Sequence, residues 1–288
     1  MKDNYSVVRN NSVINFLDIN EVELRKNITK SNFILGCAKQ HVDGVTSYED
    51  PIFLTIYNNS KVVGQALNTD VGHNLLVYEL PVSAVPFLVD EFTKYRKTCL
   101  GVRGEDSLSK AVAKTLAEKW NKSFQLRDRN GVYELNSLKM PDTKGLTLIK
   151  SEEVDNRLMF DWTKRFIEEC DLNPNLESKK VATDYLKRHE KIKGYRFLKN
   201  SKGEILSMAV KHREFEDRAT ISLVYTPPDF RRRGYGKIVT ALISKELLDG
   251  TYSQLNLFTD LKNPTSNKIY KEVGYEFIGE NVNYIFRE

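Results

Sequence analysis

Three consecutive arginines, Arg231, Arg232 and Arg233, precede Gly234-Tyr235-Gly236, and the whole run follows Val224-Tyr225-Thr226-Pro227-Pro228-Asp229-Phe230. Residues of these types at this spacing can bind a pyrophosphate largely with main chain. Gly234 and Gly236 let the backbone approach an anion closely and take positive φ where a turn needs it. A helix starting directly after them offers first-turn amides without internal partners and the positive end of its dipole. The arginines add charge at the rim. Such a helix N-terminus binds phosphate readily.

The flanking segments fit that use. Residues 219–225 are rich in β-branched and aromatic side chains and read as a strand. Residues 237–248 place Ile238, Val239, Leu242, Ile243 and Leu247 at helical spacing. The turn lacks the Lys-Ser/Thr ending of a nucleotide-triphosphate P-loop, and its glycines are not spaced as G-x-G-x-x-G. A second constellation lies downstream. Residues 253–259 alternate like a strand, and Asp260-Leu261-Lys262 leads into Asn263-Pro264-Thr265-Ser266-Asn267-Lys268-Ile269-Tyr270-Lys271-Glu272-Val273-Gly274-Tyr275. Asn263 suits an N-cap, Pro264 the first helical position and Gly274 the stop. In such a helix Asn263, Ser266, Asn267 and Tyr270 share one face, and Ile269 and Val273 form a neighbouring apolar stripe.

Arg231-x-x-Gly234-x-Gly236, with Pro228 three positions before the arginine, resembles the acyl-CoA pyrophosphate loop of the GNAT acetyltransferase superfamily. The Asn…Ser…Tyr…Gly-aromatic series resembles the helix that lies beside the pantetheine arm in the same superfamily. The resemblance covers roughly residues 146–288. It implies acetyl-CoA as acyl donor, with no metal. It also implies that Arg231, Arg232, Arg233, Gly234, Tyr235, Gly236 and Lys237 form the pyrophosphate loop. The main chain of Val224, Tyr225 and Thr226 would then pair with the pantetheine amides as an added strand does. Asn263, Ser266, Asn267 and Tyr270 would border the arm.

Acyl transfer from a thioester to an amine needs a neutral amine, an oxyanion donor and a proton for the departing thiolate. The resemblance puts the Thr226 amide at the oxyanion, a role that can contribute about 3 kcal/mol. Pro227 and Pro228 cannot donate to a ladder and end the strand there. Tyr270 is the expected proton donor, since a phenol of pKa about 10 stays protonated where a thiol of about 8.5 does not. Tyr270 as simple packing and Asn263 as a pure helix cap are the alternatives. No general base is singled out: Glu168, Glu169, Asp171, Glu214 and Asp260 are all available. His212 could act through water, though a surface position is the expectation for it. His41, His73 and His189 carry less signal still.

Composition bounds the rest. No apolar run in the 288 residues approaches the roughly 18 of a membrane span, and residues 1–9 hold no signal-peptide core. Cys37, Cys99 and Cys170 are odd in number and scattered, which favours reduced thiols in a cytoplasmic protein over a disulfide framework. The histidines and cysteines show no metal-ligand spacing. A net charge of +5, spread over 44 basic and 39 acidic residues, shows no basic stripe for nucleic acid.

The polar stretch Leu138-Lys139-Met140-Pro141-Asp142-Thr143-Lys144-Gly145 marks a boundary, giving domains 1–140 and 141–288. After it the pattern reads as strand 146–150, helix 151–170, helix 176–191 and a hairpin of 195–198 with 205–211. The order β-α-α-β-β-β-α-β-α-β matches a whole GNAT domain. Residues 53–57 and 61–68 around Asn58-Asn59-Ser60 echo that hairpin. Strand 74–80, helix 83–94, strand 98–102 and helix 107–120 follow. The turn before that first helix, Pro81-Val82-Ser83-Ala84-Val85-Pro86, has neither arginine nor glycine. The first half therefore reads as a degenerate copy without a cofactor loop. The expected class is α/β (α+β): two GNAT-like domains, each a mixed, mostly antiparallel sheet flanked by helices.

The leading functional expectation is an acetyl-CoA-dependent N-acetyltransferase acting on a small-molecule or peptide amine, as monomer or homodimer, without nucleic acid or membrane. The alternative is a non-catalytic acyl-CoA sensor. An aminoacyl-tRNA-dependent transferase fits poorly, because the Arg231–Gly236 loop implies a CoA pyrophosphate and no basic RNA face is evident.

Overall fold

A computed structural model describes residues 4–172 and 176–288; Met1, Lys2 and Asp3, the start of the segment read for a leader, lie outside it. The first half of the chain runs β1 (Tyr5–Arg9), α1 (Val13–Arg25), α2 (Ile28–Val42), β2 (Ile52–Asn58), β3 (Lys61–Asn68), β4 (Leu75–Tyr78), α3 (Val85–Tyr95), β5 (Gly101–Gly104), α4 (Asp106–Trp120) and β6 (Ser123–Leu135). The second half repeats that order as β7 (Leu146–Lys150), α5 (Asn156–Glu169), α6 (Ser178–Ile192), β8 (Tyr195–Asn200), β9 (Ile205–Phe215), β10 (Arg218–Tyr225), α7 (Tyr235–Asp249), β11 (Gln254–Asp260), α8 (Pro264–Val273) and β12 (Tyr275–Arg287).

Two compact units result, and the first of them is not a continuous piece of chain. One runs through Val132 and takes back Gly279–Glu288; the other is Tyr133–Ile278. β6 and β12 are long strands whose two ends belong to different units. The proline- and glycine-bearing linker that places a sequence boundary at 140/141 therefore lies inside the second unit, because strand pairing rather than loop composition sets the division.

In the first unit the strand order is β1-β2-β3-β4-β5-β12-β6. β4 and β5 pair in parallel at Leu75–Val102 and Leu76–Arg103. The C-terminal strand lies antiparallel to β5, with Val282 opposite Gly104 and Tyr284 opposite Val102. Ile52, Leu54, Ile56, Val77, Leu88, Phe92, Val112, Leu116 and Val282 form its core under α3 and α4. The C-terminal strand is held by polar ties as well. Arg103 reaches Asn281 at 3.0 Å and Asp128 at 2.7 Å, and the Tyr284 hydroxyl donates to Asp106 at 2.7 Å.

In the second unit the order is β6-β11-β10-β9-β8-β7, with β10 and β11 parallel and the β7–β10 pairs antiparallel. The sheet has two apolar faces. Ala219, Ile221, Leu255 and Leu257 pack with Val239, Ile243 and Leu247 of α7 and Val273 of α8. Phe197, Met208, Val210, Leu223 and Tyr225 pack with Met159 and Trp162 of α5. Each fully buried apolar side chain of this kind contributes about 1.5–3 kcal/mol. α5 begins later than its sequence pattern implies. Ser151–Glu153 forms a separate 3-10 turn, and Asp155 caps α5 by accepting from the Arg157 amide at 2.7 Å. Among the described residues no helix is long and apolar enough to cross a membrane.

Candidate functional site

The site grows out of an irregularity in β10. A strand alternates faces, so residues 219, 221, 223 and 225 would all point one way. They do not: Ala219 and Ile221 face α7, whereas Leu223 and Tyr225 face α5. The cause is a bulge. Pairing with β9 shifts between Ser222 and Tyr225, and Leu223 sits at φ 49°. On the other side of β10, the parallel ladder with β11 covers only Arg218–Ile221 with Gln254–Leu257. Beyond Ile221 the two strands go separate ways, which opens a slot beside Ser222–Tyr225. Bulges re-aim strands in this way and are common next to binding sites.

Past the slot, a 3-10 turn at Pro228–Phe230 leads into the arginines and α7. Gly234 is the N-cap at φ 82°, with no side chain capping the helix. The first amide to bond inside is that of Ile238, to the Gly234 carbonyl at 3.0 Å. The amides of Tyr235, Gly236 and Lys237 are left without acceptors among the described residues. Gly236 is open in a second sense. A Cβ built there would come no closer than 3.6 Å to Ile269 Cδ1 and Thr226 Oγ1. Packing among the described residues therefore does not itself require glycine there. Gly236 also marks where the end of β10 and α8 come together.

The arginines divide their work. Arg231 Nε donates to the Thr226 carbonyl at 2.9 Å, and its Nη2 meets both Glu169 oxygens at 2.8 and 2.6 Å. The Tyr225 hydroxyl points to the same carboxylate at 3.5 Å. Arg231 is thus a strut to the end of α5, not the free rim charge its sequence position implies. Arg232 and Arg233 are exposed and make no ion pair among the described residues. Lys237 pairs with Glu272 of α8 at 3.0 Å.

α8 is built as its sequence predicts. Asn263 accepts from the Ser266 amide at 3.1 Å, Pro264 opens the helix and Gly274 closes it at φ 107°. Asn263 therefore acts as the cap. Asn267 is occupied too: its amide donates to the Asp260 and Asn263 carbonyls, and its oxygen accepts from the Tyr133 hydroxyl at 2.8 Å. Ser266 is half-buried on the same helix. Tyr270 is 8% exposed, edge-on to Tyr275 at 6.3 Å, and its hydroxyl has no hydrogen bond among the described residues. Burial, and then the neighbouring Cys170, push the Tyr270 phenol well above its ordinary range. Desolvation, Glu169 and Asp260 hold the Cys170 thiol up at about 11, so it stays protonated at neutral pH.

The candidate bases separate. Glu168 bonds Lys164 and Ser178, Glu214 bonds Lys211 and Tyr252, and the charges of Glu169 and Asp260 act on Cys170. His212 is not a surface histidine. It is 6% exposed, its Nδ1 lies 3.0 Å from His189 Nε2, and Tyr185 stacks on it at 5.6 Å. Its alternating position in β9 points into the core, where burial lowers its basicity. Glu169 and the bulge at Leu223 are the parts sequence reasoning does not single out as working together. The second proline of Thr226-Pro227-Pro228 signals that β10 stops, but nothing signals where it kinks.

Comparison with known proteins adds the fold. The model of the FR47-like protein family matches residues 200–284, the stretch from the β8–β9 turn into β12. A comparison with curated proteins finds no match. Among solved structures, a Drosophila protein aligns with a TM-score of 0.68 at 15% identity, covering 99% of each chain. A GNAT-family acetyltransferase from Colwellia psychrerythraea aligns at 0.55 and 14% identity, over 98% of this chain and 100% of that one. A tandem GNAT protein from the clavulanic acid biosynthesis pathway aligns at 0.53 and 10%, over 99% and 98%. The chain has the tandem GNAT fold.

In GNAT terms the two halves differ where it matters. In the second, β10 is followed by a glycine-capped helix start with three arginines. In the first, Glu79 at φ 48° ends β4, and the 3-10 turn Val82–Ala84 leads to α3 through Pro81 and Pro86 without arginine or glycine. Among the described residues, no group of three or more His, Cys, Asp and Glu could hold a metal ion.

Proposed function

We propose that the protein is an N-acetyltransferase that uses acetyl-CoA and modifies the amine of a small molecule or peptide. The observation that carries this reading is the convergence at Gly236. There an uncapped helix start, an opened strand edge and the Tyr270 helix meet beside a glycine with room for no more than a Cβ in ordinary contact. The diphosphate would lie on the amides of Tyr235, Gly236 and Lys237, with Arg232 and Arg233 screening its charge. The pantetheine arm would run along Val224–Thr226, beside α8 and its Ser266 and Tyr270.

Bound acetyl-CoA supplies a thioester. The amine nitrogen attacks the carbonyl carbon, the new C–N bond forms, and the Thr226 amide steadies the oxyanion. As the C–S bond breaks, the Tyr270 hydroxyl gives its proton to the leaving sulfur and is later reprotonated from solvent. The buried phenol is protonated at neutral pH and makes no hydrogen bond among the described residues, so its proton is free to be directed at the leaving sulfur. The amine proton leaves to water. Three free cysteines fit a cytoplasmic location.

The test is release of free thiol from acetyl-CoA over a panel of small amines and peptide N-termini, alongside calorimetry with coenzyme A. Turnover with one saturable acceptor is expected. Tight binding of acetyl-CoA without thiol release on any acceptor would replace the enzyme by an acyl-CoA sensor.

A further inference from the structure

We propose that Glu169 is a positioning residue for the α7 loop, acting through Arg231; this rests on the reading that the loop receives the diphosphate of coenzyme A. Glu169 is the last residue of α5, a helix that otherwise packs on the opposite face of the sheet from α7. Its carboxylate reaches over to the loop and takes Arg231 Nη2 with both oxygens. The same guanidinium donates through Nε to the Thr226 carbonyl and lies 5.7 Å from the Tyr225 ring. One planar cation thereby fixes both ends of residues 226–231, the stretch that sets where the helix start stands relative to the slot in β10.

The arrangement is informative because it runs against simple electrostatics. A carboxylate near an anion site should repel the anion. Here its charge is spent on Arg231, and that leaves Arg232 and Arg233 to face phosphate. Both partners are partly exposed, 42% and 44%, so the pair adds little to overall stability. What it supplies is the geometry of a binding loop, and with it a mechanical link from α5 to the donor site.

The experiment is a double-mutant cycle on the full-length protein, read by calorimetry with coenzyme A. Glu169→Gln and Arg231→Gln are each expected to weaken binding about three- to tenfold, the size of one charge-assisted pair at a partly exposed site. The double variant should be no weaker than either single one, because the two act as a unit. Unliganded melting temperatures should stay within about 2 °C of the parent. In the thiol-release assay, Glu169→Gln should raise KM for acetyl-CoA and leave kcat within twofold, a split that general loosening of the fold would not give. Unchanged or tighter binding by Glu169→Gln, with a parent that binds, overturns this proposal alone, as does strict additivity of the two losses. A parent that does not bind coenzyme A overturns the functional reading and this proposal with it.

Discussion

Ser207 and Thr226 are joined side chain to side chain at 2.9 Å, just beyond the β10 bulge. Ser207 also donates to the Tyr225 carbonyl at 2.8 Å. A serine hydroxyl has one proton, so the Thr226 hydroxyl must be the donor in the pair. The end of β10 is therefore fastened to β9 by a fully buried serine while its other edge stands open.

Ser207→Ala should remove that fastening. The Tyr225 carbonyl and the Thr226 hydroxyl lose a buried partner, for an expected destabilisation of about 1–3 kcal/mol. Urea unfolding followed by circular dichroism measures it. A change below a few tenths would mean that neither group depends on Ser207.

The two loop glycines should fail differently. The Cβ of Gly236→Val would come no closer than 3.6 Å to Ile269 and Thr226, so stability should largely hold while coenzyme A affinity drops more than tenfold. Gly234→Val has open space but sits at φ 82°, and a β-branched residue there should destabilise by about 1–2 kcal/mol. Paired melting and calorimetry curves check both. Intact coenzyme A affinity in Gly236→Val would put the diphosphate elsewhere.

Tyr270→Phe keeps the ring in its packing and removes a hydroxyl that makes no hydrogen bond among the described residues. Melting temperature and coenzyme A affinity should move little. Turnover should fall by about 10²–10⁴, the loss expected for a positioned acid. Parent-like turnover would assign the proton to another group.

The His189–His212 pair should make the protein acid-sensitive. Burial holds His189 down at about 3 and His212 well below its usual value, so both are neutral in the folded state. Their unfolded counterparts titrate near 6.5. Below that pH the unfolded chain binds more protons, so stability is complete above about 6.5 and declines as pH falls toward 3. Melting temperature against pH should show the decline. A His189→Leu/His212→Leu variant should lose much of it, and an unaltered slope in that variant would assign the acid response to carboxylates.

A fragment beginning at Pro141 should not fold. It discards Tyr133 and Leu135, which belong to the core of the second unit, and the Leu135 carbonyl that accepts from Gln254 at 3.0 Å. It also carries Gly279–Glu288 without β5, its partner strand. Far-UV circular dichroism and size-exclusion chromatography should report a largely disordered or aggregated species. A cooperatively melting fragment that binds coenzyme A would show that the exchanged strand is dispensable.

Much of this was legible locally. Asn263, Pro264 and Gly274 define α8 because caps and stops act within a turn, and the Arg231–Gly236 run announces its helix start the same way. Non-local features were hidden. The sequence pattern places β5 at 98–102, whereas the strand is Gly101–Gly104. Glycine is needed there for closeness: a Cβ on Gly101 would lie 2.0 Å from the Tyr284 carbonyl, a neighbour 183 positions away in the chain. The Arg231–Glu169 pair is hidden because Glu169 lies on another helix, far away in sequence. His212 looked exposed because its companion in the core is likewise remote in sequence.

The exchange of the final strand also sets a timetable. Synthesis runs from the N-terminus, and β5 emerges long before the strand that completes its sheet. Until Val282–Ile285 leave the ribosome, the first unit presents the bare edge of Gly101–Gly104. The half that reads as the degenerate copy is then completed after the other. A nascent chain that has not yet exposed Val282 would hold a complete helix start and Tyr270 while β5 still lacked its partner strand. Such long-range closure favours slow folding and gives a chaperone a defined edge to shield.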